Sequence, residues 1–376
     1  IVKFHAAEPN PQLPRIILAT MKTAASDDFL EFIQQAKRPI VVVDEVHRLG
    51  SPVHRRILQL DFGAKLGLSA TPERLWDKEG SDALARAFGE RPVFELPIGA
   101  AVHIDEDSQK QVPVIGHFLS RYHYEFETVM LTQKEQRHWD SLTRDIKELI
   151  ARDPSQLDEG LLAEGSTRLK MMLIRRARIL KKARNKLQAV EKIISERYPS
   201  KGRWLVYCED KRQLDGVTSR LRASLPHTPI MKYDSRMDQE ERRRVLGLFE
   251  ENPGIVVCIR CLDEGVDVPS ADGAVILASS KNPREYIQRR GRVLRRAIGK
   301  GDAVIVDTIV LPAPRPDGGE DPLSIVRGEL ARAYTFATHS LNREVTHRLW
   351  RICNDYGVRL EFDSEIGFQE DDGEEQ

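Results

Sequence analysis

Short hydrophobic runs alternate with amphipathic segments along the first third of the chain. Runs rich in Val, Ile and Leu, of the length expected for buried strands, lie at 16–20, 40–43 and 65–71. Helices are predicted between them at 29–36 and 51–58, each after residues that favour a helix start. Strands and helices that alternate at these lengths predict a parallel α/β sheet.

A second α/β pattern begins after a long helical stretch. A polar loop is predicted at 105–111, and helical periodicity then runs from Thr132 to Tyr198 with a break near Pro154 and Gly160. The second unit shows predicted strands at 204–208, 230–233, 255–259, 274–278 and 303–306, with helices at 214–225 and 239–249. A closing helical piece is predicted at 323–356.

We therefore predict an α/β protein with two parallel-sheet lobes. The predicted parts are the C-terminal part of a first lobe at 1–112, a helical connector or insertion at 113–200, a second lobe at 201–311, a helical extension at 312–360 and an acidic, disordered tail at 361–376. Because the chain opens on Ile1 and not on Met, we interpret it as a fragment or a processed product, with a truncated first lobe.

Composition narrows the class of protein without naming a ligand. The hydrophobic fraction of 40% and charged fraction of 31% are typical of a soluble globular protein, and no apolar run or leader suggests a membrane or export. Four cysteines predict a reducing, cytoplasmic setting, and Cys258-x-x-Cys261 lacks the second pair that a zinc site needs. Lys+Arg and Asp+Glu are equal at 58 each, although the segment 168–203 is strongly basic.

Two carboxylates, Asp44 and Glu45, stand where a strand predicted to be buried ends. In an open parallel sheet, ligands bind at the carboxyl ends of the strands. Two carboxylates are costly there unless they bind a metal, activate a water or pair with cations. The alternative is a carboxylate pair that caps the helix predicted after Ser51.

Small hydroxyl residues end the next strand of the first lobe, at Ser69 and Thr71. Hydroxyl groups at this edge of a sheet can hydrogen-bond the carboxylates and transmit changes in the site. The alternative is an ordinary transition from strand to turn before Pro72.

An acidic turn follows a predicted strand of the second lobe, at 263–269. Gly265 permits a tight loop there, and Asp267 is placed to accept a hydrogen bond from a ribose hydroxyl. A plain acidic turn between two strands is the structural alternative.

The segment 286–296 contains five arginines. Gln288, Arg292 and Arg295 are spaced by four and three residues, so they share one helix face. An amide and two guanidinium groups on one face suit a polyphosphate, whose charge bidentate cations stabilise. The alternative is a solvated, arginine-coated helix face.

Together these segments resemble a known family. DEVH at 44–47, LSATP at 68–72, DEGVDVP at 263–269 and QRRGRVLR at 288–295 are similar to the helicase motifs of superfamily 2, in the XPB and type III restriction-enzyme-like branch with DEAD/DEAH-type boxes. The resemblance covers about 13–307. It implies two RecA-like lobes, with ATP and Mg²⁺ bound in the cleft between them and hydrolysis coupled to movement on nucleic acid.

The resemblance also implies a role for each matching residue. Catalysis falls to Asp44, Glu45, Gln288, Arg292 and Arg295, nucleotide binding to Gly265, Asp267 and Arg289, Mg²⁺ binding to Asp44 and Glu45, and coupling to His47, Ser69 and Thr71. Candidates for nucleic-acid contact are Thr20, Lys22, Ser235 and Arg236.

Two features depart from the family pattern. The Walker A loop, G-x-G-K-[ST], does not occur in the chain, and we expect it upstream of Ile1. Without its lysine and amide groups, the chain as given is expected to hydrolyse little or no ATP. Ile259 stands where many relatives place a threonine that contacts the nucleic-acid backbone, and Arg260 is the candidate replacement.

Nucleic acid is the expected partner, held mostly through its phosphates. A basic helix around 175–186 is a further candidate surface, and a solvated helix is its alternative. We find no basic patch interleaved with aromatic residues, which favours a translocase on double-stranded DNA. The alternative function is a catalytically silent nucleic-acid-binding or scaffold subunit of a repair, restriction or phage-defence complex. A nuclease would then be a partner protein.

Overall fold

Two compact units, each containing parallel strands, make up the chain. The computed structural model describes residues 2–3, 15–69, 77–94, 102–105, 110–152, 167–199, 201–259, 271–277, 291, 293–297, 299–313 and 325–358. The first unit includes Ile1–Pro113 and Ser141–Arg175, and the second includes Val114–Asp140, Arg176–Lys281 and Arg290–Gln376. The parallel α/β class predicted from the sequence is confirmed.

The first unit contains short strands and helices in alternation. Its elements are β1 (Val2–Lys3), β2 (Ile17–Leu18), α1 (Met21–Ala24), α2 (Asp27–Gln34), β3 (Ile40–Asp44), β4 (Ala64–Leu68), α3 (Lys78–Phe88), β5 (Val102–Asp105) and β6 (Lys110–Pro113). Strand β1 pairs in parallel with β2, and β3 pairs in parallel with β4. Helix α2 begins at a cap, because the Ser26 hydroxyl accepts from the Phe29 amide at 3.4 Å, and it buries Phe29 and Ile33.

Three predictions for the first unit are wrong in detail. The strand at 40–43, predicted to be buried, buries only Val43, while Ile40 and Val42 are exposed. The α-helix predicted at 51–58 is replaced by two 3₁₀ segments, Val46–Gly50 and His54–Gln59. Each segment buries few apolar residues, and Pro52 interrupts the chain between them, which favours short 3₁₀ turns over a nucleated α-helix. The polar loop predicted at 105–111 forms the ends of an antiparallel hairpin, since β5 pairs with β6, while 106–109 lie outside the described residues.

The second unit is organised around one six-stranded sheet. The remaining elements are β7 (Tyr122–Met130), α4 (Gln133–Arg152), α5 (Thr167–Lys181), α6 (Lys186–Arg197), β8 (Arg203–Cys208), α7 (Lys211–Ser224), β9 (Ile230–Tyr233), α8 (Gln239–Glu251), β10 (Gly254–Ile259), β11 (Gly273–Ile276), β12 (Ala303–Leu311), α9 (Ile325–Thr338) and α10 (Val345–Asp355). The strand order is β7-β12-β11-β8-β10-β9, and every pairing is parallel. The central strands are buried along their length, as expected for a sheet covered on both faces.

Strand β7 is an edge strand that the sequence reading missed. It lies within 113–200, for which we predicted only helices. Buried Tyr122, Tyr124 and Phe126 alternate with more exposed residues, a period of two that is the signature of a strand. Its outer edge is closed by the Leu341 amide, which donates to Tyr122 O at 2.8 Å, and by Asn342, whose side chain bonds both backbone groups of Tyr124.

The C-terminal extension is firmly attached to this sheet. The single helical piece predicted at 323–356 consists of two helices, α9 and α10. Helix α10 buries Val345, Leu349 and Cys353, and beyond its end the Tyr356 hydroxyl donates to Pro312 O at 2.8 Å. The extension therefore holds a fixed position on the second unit.

The cysteines of the described residues are packing residues. Cys208, Cys258 and Cys353 are buried free thiols, as predicted, while Cys261 lies outside the described residues. Within the described ranges, no helix combines the length and the apolar character that a membrane crossing requires.

Gly273 of β11 packs closely against Trp204 of β8, and a substitution there tests this packing. A Cβ added to Gly273 would lie 2.4 Å from Cε2 of Trp204, a core residue that is 1% exposed. We expect Gly273→Ala to lower the free energy of unfolding by about 1–3 kcal/mol, because a core of native density has no room for the methyl group. Urea denaturation followed by circular dichroism measures this change.

Gly247 provides the matched control for that substitution. It lies inside α8, and an added Cβ would meet nothing within 4 Å. Gly247→Ala should therefore stabilise the protein by up to about 1 kcal/mol through helix propensity. Equal effects of the two substitutions would contradict the close packing of Gly273 against Trp204.

Candidate functional site

The carboxyl ends of β3 and β4 bring the acidic pair and the hydroxyl residue of the next strand together. Asp44 ends β3 and pairs with Leu68 of β4, so Glu45 and Ser69 follow the two strands at the same edge. Asp44 is exposed there, and its Oδ1 accepts from the Glu45 amide at 2.9 Å. The predicted proximity of these residues is confirmed by the register.

Glu45 has an unusual backbone conformation. Its φ of 52° and ψ of 47° lie in the left-handed region, which a glutamate adopts at a cost of roughly 1–2 kcal/mol. This turn ends the strand and starts the 3₁₀ segment that carries His47. Strain of this kind is concentrated at functional sites, where a side chain must be held in one direction.

His47 connects the acidic pair to Ser69. Its Nδ1 lies 3.1 Å from the Ser69 hydroxyl and 3.3 Å from Glu45 Oε2. The His47 side chain is 11% exposed, whereas that of Glu45 is 35% exposed. Nδ1 forms a hydrogen bond with the Ser69 hydroxyl, and its approach to Glu45 Oε2 is a charge contact without a hydrogen bond, so the imidazole lies between the carboxylate at the strand end and the hydroxyl of the next strand.

The acidic pair suits a magnesium ion. Mg²⁺ takes oxygen ligands and is usually held by one or two carboxylates together with substrate phosphates and water. Asp44 and Glu45 offer such oxygens at an accessible strand end. Among the described residues, no group of three or more His, Cys, Asp or Glu side chains is arranged to hold a metal.

Arg295 is the one predicted arginine of its motif that falls within the described residues. It is exposed and forms a backbone bridge with Leu119 of the second unit. The Lys300 amine donates to Arg295 O at 2.8 Å and to Val293 O, and burial lowers the pKa of Lys300 to about 8. A lysine on the last carbonyls is a typical end for a helical turn, and it fixes the backbone that carries Arg295.

Six predicted site residues lie outside the described residues. They are Thr71, Gly265, Asp267, Gln288, Arg289 and Arg292. Their roles remain predictions.

The nucleic-acid candidates have local structural roles as well. Thr20 caps α1 by accepting from the Thr23 amide at 3.2 Å, and Lys22 is exposed beside it. In the second unit, Ser235 and Arg236 follow β9 on the surface, and the Arg236 guanidinium pairs with Asp234 at 3.1 Å. All four candidates are accessible. To bind a phosphate, however, the Arg236 guanidinium must release the Asp234 carboxylate with which it is paired.

The basic helix around 175–186 is largely structural. Arg176 is buried over the ring of Trp139, with Cζ 5.2 Å from the ring centroid, and Lys186 is fully buried. Lys182 pairs with Asp210 at 2.5 Å. Because Arg176 and Lys186 are buried and Lys182 is in an ion pair, these three side chains are not available to nucleic acid, and the alternative of a solvated helix is wrong for Arg176 and Lys186.

A buried ionic cluster of the second unit was missed in the sequence. It comprises Lys186, Asp307, Glu329 and Arg332, all inside the protein. Arg332 Nη2 donates to Asp307 Oδ2 at 2.7 Å, and its Nη1 lies 3.2 Å from Glu329 Oε2. Burial lowers the pKa of Lys186 to about 8 and raises the pKa of Asp307. The signal available was a charged residue, Asp307, in the middle of the hydrophobic strand β12.

The Lys186 amine ties this cluster to the end of a sheet strand. It donates to Leu277 O, the residue directly after β11, and to Lys181 O at 3.4 Å. The Tyr124 hydroxyl donates to Asp307 Oδ2 at 3.4 Å. The cluster thus joins helices α6 and α9 to strands β7 and β12 across the sheet.

Two family profiles match the chain. The profile "Helicase conserved C-terminal domain" matches residues 185–297, and the profile "Type III restriction enzyme, res subunit" matches residues 6–74. The first covers strands β8 to β11 of the sheet of the second unit, and the second covers the Asp44–Ser69 region.

Curated relatives and one solved structure agree with these profiles. The chain is 26% identical over 272 residues to "DNA 3'-5' translocase XPB2" of Sulfurisphaera tokodaii, covering 69% of this chain and 56% of that protein. It is also 26% identical over 311 residues to "Putative DNA 3'-5' helicase Rad25" of Haloarcula marismortui, covering 81% of this chain and 40% of that protein. The chain thus spans about half the length of these relatives.

A structural likeness supports the fold alone. The "ATP-dependent Type ISP restriction-modification enzyme LlaBIII bound to DNA" matches with a TM-score of 0.50 and 14% identity. The match covers 85% of this chain and 22% of that one.

Proposed function

Because the chain belongs to superfamily 2 of the helicases, in the XPB and type III restriction-enzyme-like branch, we propose that the full protein is a DNA-dependent ATPase that moves along DNA. The observation that carries this proposal is the link from Glu45 through His47 to Ser69 at the ends of β3 and β4. A capping pair of carboxylates would need no buried imidazole between it and the next strand.

The acidic pair would hold Mg²⁺ and prepare a water for attack. Bound MgATP supplies a phosphoryl group whose charge is partly neutralised by the metal. Asp44, accessible at the strand end, provides a metal ligand directly or through water. Glu45 accepts a proton from the attacking water and holds that water in position for attack on the γ-phosphate.

The arginine motif would supply the cationic groups that the nucleotide needs. Gln288, Arg292 and Arg295 bind the γ-phosphate and stabilise the charge that develops on it, a role worth about 10³–10⁵ in rate for arginine fingers. Gly265, Asp267 and Arg289 hold the nucleotide. Lys300 supports this arrangement by fixing the backbone of Arg295.

Movement requires that the state of the nucleotide reaches the DNA contacts. His47 and Ser69 are placed to pass a change at Glu45 from β3 to β4, and Thr71 follows on the same chain segment. Thr20 and Lys22 in the first unit, with Ser235 and Arg236 in the second, would grip phosphates of double-stranded DNA. A nuclease or a repair or defence protein is a candidate partner of such a motor.

The test is ATP hydrolysis by the full protein with and without duplex DNA, beside the release of a third strand from a DNA triplex. We expect hydrolysis to rise several-fold with duplex DNA, and triplex release to require ATP. A protein that binds DNA but hydrolyses no ATP under any condition would instead be the silent scaffold.

Ser69→Ala should weaken coupling and leave hydrolysis in place. The substitution removes the hydroxyl 3.1 Å from His47 Nδ1, a hydrogen bond worth about 0.5–1.5 kcal/mol. We expect the ratio of ATP hydrolysis with DNA to hydrolysis without DNA to fall roughly 2- to 10-fold, the rate equivalent of that energy. Steady-state assays with saturating duplex DNA measure the ratio.

Ser51→Ala is the matched control for coupling. Ser51 makes the same kind of bond in the same unit, from its hydroxyl to His54 Nδ1 at 3.0 Å, but it does not follow a sheet strand. The ratio should stay at the wild-type value in Ser51→Ala. If both variants lose stimulation equally, the effect reflects general loosening of the unit, and the coupling role of Ser69 is wrong.

A further inference from the structure

An exposed tryptophan lies among cations on the last helix of the second unit. Trp350 of α10 is 54% exposed, whereas Trp139 and Trp204 are buried. His347 lies three residues before Trp350 on the same face of α10, and Arg351 follows Trp350 directly and lies four residues after His347. Arg343, just before the helix, is exposed like the other three residues. We call these four residues the tryptophan face.

The cations of this face are not committed to other parts of the protein. In the described part of the chain, the side chains of Arg343, His347 and Arg351 make no ion pair and no hydrogen bond. Many other surface cations of the unit are paired, among them Lys192 with Glu127, Arg197 with Glu125 and Arg220 with Glu191. Free guanidinium groups around an exposed ring favour a polyanion as the partner.

The face is held rigidly and ends at the functional edge of the sheet. Helix α10 begins beside Tyr124, bonded by Asn342, and ends beside Pro312, which follows β12. It therefore runs in the direction of the strands, and Trp350 lies at its midpoint, with Arg351 one residue closer to their carboxyl ends. Arg348 on the same helix is held over the Phe126 ring, with Cζ 4.3 Å from the centroid.

The candidates after β9 lie at the same carboxyl edge, on the other flank of the sheet. Strands β7 and β9 are the two outer strands, separated by five strand spacings of about 4.8 Å each, or roughly 24 Å. A nucleic acid that crosses this edge from Arg236 would meet the tryptophan face on leaving the unit.

We propose that the tryptophan face binds single-stranded nucleic acid, with a base stacked on Trp350 and phosphates held by Arg343 and Arg351. Bare aromatic rings stack on unpaired bases, whereas the bases of a duplex are already stacked on each other. The proposal rests on the proposed DNA-dependent function and refines it. The motor would act where a single strand leaves a duplex, so strand separation would accompany its movement.

The test uses the full protein without nucleotide and three fluorescein-labelled probes: a 20-residue oligo-dT strand, a duplex of that length and a matching oligo-U strand. Trp350→Ala should weaken binding of oligo-dT about 5- to 150-fold, the loss of one base–aromatic stack, and change duplex binding by less than about twofold. Trp350→Phe, which keeps a ring, should recover part of the affinity. Comparison of oligo-dT with oligo-U shows which sugar is preferred.

The arginines are tested through salt dependence. Replacing Arg343 and Arg351 with Gln should lower the slope of log affinity against log salt by about 1.4 for oligo-dT, since each phosphate contact on a single strand contributes about 0.7. Oligo-dT should also quench the tryptophan emission of the wild type more than that of Trp350→Phe, because the two proteins differ only at Trp350 and the buried Trp139 and Trp204 are shielded in both.

Two results would overturn the proposal. If Trp350→Ala binds oligo-dT as tightly as the wild type, the face serves a protein partner. If single-strand and duplex binding fall together, no stacking occurs at Trp350. The ATPase assay tests the proposed function separately. If the full protein hydrolyses no ATP but Trp350→Ala selectively loses oligo-dT binding, the proposed function is wrong and this inference still holds.

Discussion

Glu45→Gln in the full protein is expected to lower kcat for DNA-stimulated ATP hydrolysis about 100-fold or more. The amide keeps the size of the side chain but cannot accept a proton from water, a contribution worth typically 10²–10⁴ in rate. The hydrogen bond between His47 Nδ1 and the Ser69 hydroxyl, at 3.1 Å, does not involve residue 45 and should persist. DNA binding should therefore remain within a few-fold of the wild type, which fluorescence anisotropy checks.

Glu31→Gln is the matched control for this loss. The substitution makes the same chemical change as Glu45→Gln. Glu31 lies on the exposed side of α2 in the same unit, away from the ends of β3 and β4. It should hydrolyse ATP at the wild-type rate. If Glu45→Gln hydrolyses ATP at the wild-type rate, Glu45 has no catalytic role, and the alternative of a carboxylate pair that caps a helix would be favoured.

The backbone of Glu45 sharpens this argument beyond the chemistry of its carboxylate. A non-glycine residue at φ of 52° is strained by roughly 1–2 kcal/mol, and glycine at this position would be relaxed. A site selected only for stability would favour glycine or asparagine here. That the chain keeps a glutamate in this conformation indicates that the direction of the carboxylate matters more than the strain it causes.

The first part of the site was predictable because local patterns determine it. Four consecutive apolar residues at 40–43 mark the strand, and the next two residues must then lie at its carboxyl end. Parallel pairing of the strand predicted at 65–71 places Ser69 at the same edge, but the sequence suggested a bond from its hydroxyl to the carboxylates, whereas the structure shows a bond with His47. The order of residues along two neighbouring strands therefore fixed which residues share that edge.

The features that were missed depend on contacts between distant segments. Asn342 closes the edge of β7 more than 200 residues away in the sequence, and no local pattern indicates that pairing. The tryptophan face was overlooked although the helix was predicted, because which side of the helix is buried depends on the sheet against which Val345, Leu349 and Cys353 pack. Sequence alone showed a mixed stretch of charged and apolar residues.

The basic segment at 175–186 shows the opposite error. A run of Lys and Arg is usually solvated, but here Arg176 and Lys186 are buried. Long side chains can be drawn inward when a carbonyl, a carboxylate or an aromatic ring is available to receive the cation. Asp307 and Glu329 supply the negative charge for Lys186, and they come from a strand and a helix more than 100 residues further along the chain.

Arg332→Met should destabilise the second unit by about 3–5 kcal/mol at neutral pH, because it removes the cation from two buried carboxylates. Asp307 is fully buried and accepts from Arg332 at 2.7 Å, so its charge would be left without its main partner. Urea denaturation at pH 7.5 measures the loss. Arg220→Met is the control, since its pair with Glu191 at 2.9 Å is exposed and should be worth less than about 1 kcal/mol.

The pH dependence of that loss separates a buried charge from a simple packing defect. Burial already raises the pKa of Asp307, and removal of Arg332 raises it further, because the guanidinium lowers it in the wild type. A carboxyl whose pKa is raised by folding is penalised above that pKa, and the penalty disappears as protonation neutralises it. The difference in unfolding free energy between Arg332→Met and the wild type should therefore shrink as the pH falls from 7.5 to 5. A difference that is the same at both pH values would show that Arg332 acts through its volume, and that the charge of Asp307 is balanced elsewhere, with Lys186 as the nearest candidate in the cluster.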